Sequence, residues 1–330
     1  MNDCRILLLK SVRKLYRTIR RKRFMSPECV LDRQAANDII YDAVVSRKPL
    51  MLSRFGSIEL SCVITYMLQH SDKSLWRMMY EYVTDNTELP WWDKLFFFPI
   101  CNNAGVFPAT TEILSRFAAR YLEDLPLIDI LMSIYYKEKW LPLSPGVKNI
   151  HFETSYPFFV EHPWTRALLG RKVLIVHPYE DTIRRQYEKR GLLFEDPDIL
   201  PDFELKTLRS VQSACGAKTE FPDWFAALKS MEDKISEIDF DIAILGCGAY
   251  GLPLAAHIKR MGRQAIHLGG GTQLLFGIKG RRWEENYVWK YPTPVKLDLN
   301  YKDLFNEHWV RPSREETPQN AQRVEDGCYW

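Results

Sequence analysis

Paired cysteines are the first thing missing from this sequence. The seven cysteines, at positions 4, 29, 62, 101, 215, 247 and 328, never fall at Cys-x-x-Cys spacing. An odd, scattered set of this kind argues against a disulfide frame or a zinc site, and points to buried free thiols in a reducing compartment. No apolar stretch reaches the ~18 residues of a membrane span. RILLLK near the start holds an apolar run of only four, followed by more charge, which is not the pattern of a secretory signal. The expected location is therefore the cytoplasm. H-E-x-x-H, G-x-S-x-G and G-x-x-x-x-G-K-S/T are all absent, which argues against a zincin, an α/β-hydrolase and a P-loop NTPase. Internal repeats and low-complexity tracts are absent too.

What is present is an ordinary globular composition with an uneven charge. Hydrophobic residues make up 46% and charged residues 26% of 330 positions, enough for a substantial core. Aromatics reach 13% with ten Trp, which suits either exposed rings for carbohydrate or a large core. Of the 45 Lys and Arg, nine lie in residues 1–24 beside a single Asp, leaving 36 bases against 41 acids in the body. By bulk charge the body is not a nucleic-acid surface. RILLLKSVRKLYRTIRRKRF, within residues 5–24, reads as a basic amphipathic helix with Ile6, Leu8, Leu9, Val12, Leu15, Tyr16 and Ile19 on one stripe. It is either a helix that lies on the anionic inner leaflet of a membrane or a solvated leader.

The patterning divides the chain into a basic helix (1–25), an N-terminal α/β part (26–163), a second, Rossmann-like part (164–300) and an irregular tail (301–330) that wraps over the body. After a cap-like turn at Ser26, DRQAANDIIYDAVVSRK is a helix, PLMLSRFG a short buried strand and SIELSCVITYMLQH a helix with Ser57 as a fitting N-cap. Trp76 to Leu141 is mostly helical in pattern, with a capped start near Thr110 and Thr111. Pro142 to Pro163 reads as a connecting loop. From Arg171 onward KVLIVHP, DFELKTLRSVQS, DFDIAILG and QAIHLGGG read as strands that alternate with helices. That rhythm predicts an α/β fold, Rossmann-like parallel sheets with helices on both faces.

Four places carry candidate chemistry. DIAILGCGAYGLPLAAH sets Gly246, Gly248 and Gly251 at G-x-G-x-x-G spacing between a strand and a helix, a dinucleotide fingerprint in which glycines allow close pyrophosphate approach. The following strand should then end on an acid for the ribose, and QAIHLGGG has none. The spacing is equally compatible with a tight, closely packed turn. GGGTQLLFGIKGRRW adds Gly269, Gly270, Gly271 and Thr272, then Lys279, Arg281 and Arg282, which together could cradle a diphosphate or form a solvated basic loop. SRFGSIE puts Arg54, Gly56, Ser57 and Glu59 at a strand's carboxyl end, where Glu59 can serve as base, as metal ligand or simply as a helix-first-turn acid. His177, Glu180 and Asp181 in KVLIVHPYED can hold a base or metal, or just begin a helix. His267 is expected to be a satisfied core histidine, and His257 to have no chemical role.

SRFGSIEL, AGVFPATTEILSRFAARYLEDLPLIDIL and DIAILGCGAYGLPLAAHIKRMGRQAIHLGGGTQLLFGIKGRRW together resemble bacterial GT-D-type glycosyltransferases and their uncharacterised, capsule- or exopolysaccharide-associated relatives, in order over residues 35 to 330. The resemblance implies a Rossmann-like fold that binds a nucleotide-sugar, with an Asp-x-Glu motif holding Mn²⁺ or Mg²⁺. On this chain the motif falls on Ser57-Ile58-Glu59, so a hydroxyl stands where the aspartate would be. A neutral hydroxyl replaces charge poorly at a hard cation, and Arg54 with the Lys279–Arg282 cluster would then neutralise a leaving diphosphate. The implied activity is transfer of a sugar from a nucleotide-diphosphate donor to a saccharide or lipid-linked acceptor in surface polysaccharide biosynthesis, with Glu59, Arg54 and His177 as catalytic candidates. Two other readings stand beside it. One is an NAD- or FAD-dependent oxidoreductase using GCGAYG; the other is a non-catalytic scaffold of a polysaccharide assembly system.

Overall fold

The computed structural model describes residues 3–20, 27–285, 300–318, 320–323 and 327–330. Among these, seven strands form one sheet: β1 (Leu50–Ser53), β2 (Ile130–Ser133), β3 (Lys148–His151), β4 (Lys172–His177), β5 (Glu204–Arg209), β6 (Ile242–Leu245) and β7 (Gln264–Ile266). Their order is β3-β2-β1-β7-β6-β4-β5, and every neighbouring pair is parallel. The α/β class read from the sequence is the observed one.

Period-two alternation decides which side chains meet which helices. Met51, Leu131, Leu174, Val176, Ala243, Leu245 and Ala265 belong to one apolar cluster. Leu50, Leu52, Ile130, Met132, Val173, Ile175, Ile242, Ile244 and Ile266 belong to the other. Both faces are buried, so the central strands read as continuous apolar runs, as parallel sheets do. Helices α3 (Ser57–Gln69), α6 (Thr111–Asp124), α8 (Trp224–Glu237) and α9 (Gly251–Arg260) cover the Met51 face. Helices α2 (Arg33–Val45), α7 (Glu180–Tyr187) and α10 (Gly271–Leu275) cover the Leu52 face, with Tyr301 and Trp309 of the tail tucked in beside them.

Local chemistry sets the helix starts. Asp32, Thr110 and Asp223 accept hydrogen bonds from the backbone N–H of Ala35, Ile113 and Ala226, at 2.7, 3.2 and 2.8 Å, each filling an orphan donor of a first turn. At α3 the N-cap is Gly56 and Ser57 is the first helical residue, so the helix starts one residue earlier than expected. The turn expected at Ser26 lies outside the described residues.

Two strands fall where the sequence pattern points elsewhere. β2 sits in the stretch read as helical, because IDILMS follows the helical ARYLED after only the three-residue turn Leu125–Leu127 and, buried on both faces, shows no alternation. β3 sits in the stretch read as a loop, being four residues long with Lys148 and Asn149 at its exposed end. It is a sheet-edge strand that pairs with β2 alone among the named strands. Residues 26–163 thus supply β1 to β3 and residues 164–300 supply β4 to β7. The two sets join where Leu50 pairs with Gln264 and Leu52 with Ile266.

The N-terminal helix α1 (Asp3–Arg20) packs on α4 (Leu75–Val83). Its expected single apolar stripe is split: Ile6 and Leu9 are buried with Tyr82 and Leu89, whereas Leu8, Val12, Leu15 and Ile19 are exposed.

Because β1 and β7 pair at the centre of the sheet, the two segments should unfold together. Calorimetry is expected to give one transition. Ile266→Ala, which empties a fully buried position shared by both segments, should lower that transition by about 2–4 kcal/mol of stability. Two resolved peaks, only one of them displaced, would contradict this.

Candidate active site

Strand β4 leads through α7 to β5 on one side, and β6 leads through α9 to β7 on the other. Those helices lie on opposite faces of the sheet. The loops after β4 and β6 therefore diverge, and a crevice opens between the carboxyl ends of these two strands. Open α/β sheets bind ligands at such a switch point. A cavity of about 510 Å³ lies there, within the usual range for a small-molecule site.

The glycine fingerprint opens this cavity in an unexpected way. A Cβ on Gly246 would run into the His177 ring and come within 2.9 Å of Thr272 Cβ, and one on Gly251 would run into the His267 ring. The outer glycines of the motif thus seat two imidazoles against the strand ends. The middle one differs: Gly248 has φ +57° and open space where a Cβ would stand. Across the cavity Gly269, with φ +62°, lies with its missing Cβ position 2.8 Å from Arg54 Nη1. These two left-handed positions let bare backbone face a ligand.

Both imidazoles are neutral. Burial pushes His177 down to about 3. Burial and then the Arg54 charge push His267 down to about 3. Tyr179 N–H donates to Nδ1 of His177 at 3.0 Å, and Nδ1 of His267 lies 3.2 Å from Ser53 Oγ. A histidine held so far below neutrality is a poor base. His177 therefore shapes the wall and does not suit the base role the sequence offered it, while His267 is the hydrogen-bonded core histidine expected.

Arg54 follows β1, and Gly56, Ser57 and Glu59 open α3 beside it; all four line the cavity. The Glu59 carboxylate lies over Gly56, at the place a Cβ would occupy there. Among the described lining residues Glu59 is the only acid. Arg282 in α11 (Arg281–Glu284) lines the opposite wall, with Nη1 donating to Tyr329 Oη at 2.9 Å. Tyr156 feels both cations, Arg54 before Arg282, against the burial that raises its own pKa. Both guanidinium groups thus belong to the lining of one cavity.

Not every expected residue reaches the cavity. Lys279 sits over the Phe305 ring at 5.6 Å, and Arg281 pairs with Glu285 at 2.8 Å. Glu180 and Asp181 are engaged by Arg184, Thr207 and Arg209. Gly271 packs against the Tyr156 ring, and Thr272 is buried behind the wall with Oγ1 lacking a hydrogen bond among the described residues. His257 faces Ser236, at 3.0 Å.

The walls are aromatic, and sequence reasoning missed them. Tyr135, Phe152, Tyr156, Tyr179, Tyr301 and Tyr329 come from five separate segments. Two buried carboxyl groups stand behind them. Glu138, raised by burial to about 7, accepts from Ile134 and Tyr135 N–H at 3.1 Å and so fixes Tyr135 at the cavity edge. Glu153, also raised by burial to about 7, accepts from Tyr301 Oη at 3.5 Å. Gln273 Nε2 donates to Tyr329 O at 2.9 Å, strapping the tail across the mouth.

A divalent cation needs several oxygen ligands, mostly charged. One carboxylate beside a guanidinium does not fit one, and the described residues contain no group of three metal-ligating side chains.

Two solved structures of domain of unknown function 1792 are similar to this chain. One, selenomethionine-substituted, is 14% identical with a TM-score of 0.37, covering 96% of this chain and 98% of the other. The second is described as having a distinct glycosyltransferase fold; it is 15% identical with a TM-score of 0.33, covering 93% and 95%. Likeness at these scores carries no argument about activity. No family model and no curated protein matches the chain.

Two outcomes test this architecture. Gly251→Ala should destabilise by about 1–3 kcal/mol through overpacking against His267. Gly248→Ala, strained by its φ but free of contacts, should cost about 1–2 kcal/mol and also impair ligand binding; urea titration and a binding assay separate the two. The second outcome concerns pH. An unfolded His takes up a proton near pH 6.5 that folded His177 refuses until about 3, so stability falls as pH drops between those values. From pH 8 to 5 the wild type should lose about 2 kcal/mol more than His177→Asn in urea unfolding.

Proposed function

We propose that the chain is a glycosyltransferase that moves a sugar from a nucleoside-diphosphate donor to a saccharide or lipid-linked acceptor, in the building of a surface polysaccharide. The observation that carries this reading is the pair Arg54 and Arg282 in the lining of one switch-point crevice, faced by the bare backbone of Gly248 and Gly269. Guanidinium groups bind phosphate oxygens as planar forks, and they stabilise negative charge most where water is excluded. The diphosphate would rest between them, and the aromatic walls would hold nucleoside and sugar by stacking. Among the described lining residues Glu59 is the one carboxylate placed to accept the acceptor hydroxyl's proton. As that oxygen bonds the anomeric carbon, the carbon–oxygen bond to the diphosphate breaks, its electron pair stays on the diphosphate oxygen, and Arg54 and Arg282 would stabilise the charge that develops there. The reading needs no divalent cation, in keeping with the poor donor set around Glu59.

A dinucleotide oxidoreductase is disfavoured by the strand that would hold the ribose. β7 is followed by His267 and Leu268, not an acid, and His267 packs into Gly251.

Calorimetric titration with UDP, GDP and their sugars checks the proposal. At least one should bind, equally in EDTA and in Mn²⁺. Arg54→Ala and Arg282→Ala should each weaken it about 10–100-fold, the loss of one charge-assisted hydrogen bond. Glu59→Gln should leave binding intact and abolish transfer. Absence of binding by every donor, or NAD(P) or flavin absorbance on the purified chain, would overturn it.

A further inference from the structure

Helix α1 is amphipathic, but it is mounted the opposite way from a surface helix of a soluble protein. Three of its bases face inward. Arg13 and Arg17 both grip the buried Asp85, with Arg13 Nε–Oδ1 at 3.1 Å and Arg17 Nη2–Oδ1 at 2.7 Å, and Lys10 pairs with Asp93. Arg13 also lies over the Tyr82 ring at 4.3 Å. With Ile6 and Leu9 these contacts fix the rotation of the helix.

That rotation turns Leu8, Val12, Leu15 and Ile19 outward, at 64, 42, 60 and 70% exposure. Their spacing of four, three and four puts them on one stripe, about 16 Å long. It lies opposite the docked residues Ile6, Leu9 and Arg13. Arg5 flanks the stripe, Lys14 and Arg20 are exposed farther round the helix, and the helix carries no acid after Asp3. On α4, Trp76 and Tyr80 are one turn apart and 79 and 69% exposed. An exposed apolar stripe of this kind, on a helix packed against one that exposes two aromatic rings, marks an interaction site.

The charge selects the occupant. Two copies meeting by this stripe would bring their rows of bases together. An anionic bilayer instead offers apolar depth for the leucines and negative headgroups for the bases, and Trp and Tyr rings favour that interface. We propose that the outer face of α1, with Trp76 and Tyr80 of α4, docks the protein on an anionic lipid surface. No helix among the described residues is long and apolar enough to cross a membrane, so the helix lies in the interface plane. The docking stands independently of the donor site.

The surface also has a physical link to the cavity. Lys137 pairs with Glu88 and senses Arg13 and Asp85, and it lies two residues from Tyr135 at the cavity edge. A lipid-linked acceptor would thus be presented on the side of the fold that holds Tyr135.

Sedimentation of the full chain with vesicles of phosphatidylcholine and phosphatidylglycerol (3:1), or phosphatidylcholine alone, tests the proposal. Binding is expected to the anionic vesicles, to weaken in 0.5 M salt, and to fall about fivefold for each of Arg5→Gln, Lys14→Gln and Arg20→Gln. The triple variant Leu8→Ser, Leu15→Ser, Ile19→Ser should lose binding by at least tenfold with its thermal midpoint unchanged, since all three side chains are exposed. No binding to anionic vesicles, or undiminished binding by the triple variant, overturns the proposal. A dimer in analytical ultracentrifugation that the triple variant abolishes would overturn it in favour of a second copy. Donor titrations of the same variants should match the wild type, which keeps this result separate from the reading of the active site.

Discussion

Two uncharged imidazoles pressed against glycine backbone hold the site together. His177 ends β4 and His267 follows β7, and each ring fills the space that a side chain on Gly246 or Gly251 would need. Protein interiors tolerate little change in volume at such contacts, so the strand ends, the loop after β6 and the rings form one fitted unit. Ser53 ties that unit to β1 through His267. Arg54 is the next residue, which is how the packing of two rings comes to aim a guanidinium.

The cavity combines fixed positive charge with groups that stay neutral. His177, His267, Glu138 and Glu153 all have pKa values moved toward their uncharged forms by burial. Arg54 and Arg282 therefore dominate the local field, opposed by Glu59 alone among the described lining residues. A low-dielectric site with few mobile charges strengthens each remaining interaction, which suits a ligand whose charge is concentrated on phosphate oxygens.

Much of the fold was legible because burial on both faces leaves apolar runs such as KVLIVH and DIAILG between helix-length segments. The two strands that escaped are short and hidden by their neighbours, β2 by the helical ARYLED before it and β3 by surrounding prolines. The site was half legible. Arg54, Glu59 and the glycines were visible as strand-end chemistry. The difference in task between Gly248 and its flanking glycines was not, since it depends on rings 71 residues before and 19 residues after it. Tyr156, Tyr301 and Tyr329 belong to no motif and meet only through the fold. Of the basic cluster, one residue in three faces the cavity, because α11 presents Arg282 there while Arg281 pairs along the helix with Glu285. In α1 the hydrophobic pattern was read correctly as amphipathic but not its rotation, which Asp85 decides from 65 or more residues away.

The sheet order has a consequence for how the molecule is made. β7 is the last of the described strands to leave the ribosome, yet it sits between β1 and β6 at the centre of the sheet. On one side of β1, backbone hydrogen bonding waits for residues 264–266. At ordinary elongation rates that is on the order of ten seconds after β3 has emerged. Nascent chains thus carry two half-sheets with raw inner edges, a state in which strands invite foreign partners. The binding crevice also depends on Arg282 and the tail. Ligand recognition thereby arrives only with the last part of the chain, and a truncated product would carry neither a closed sheet nor a competing site.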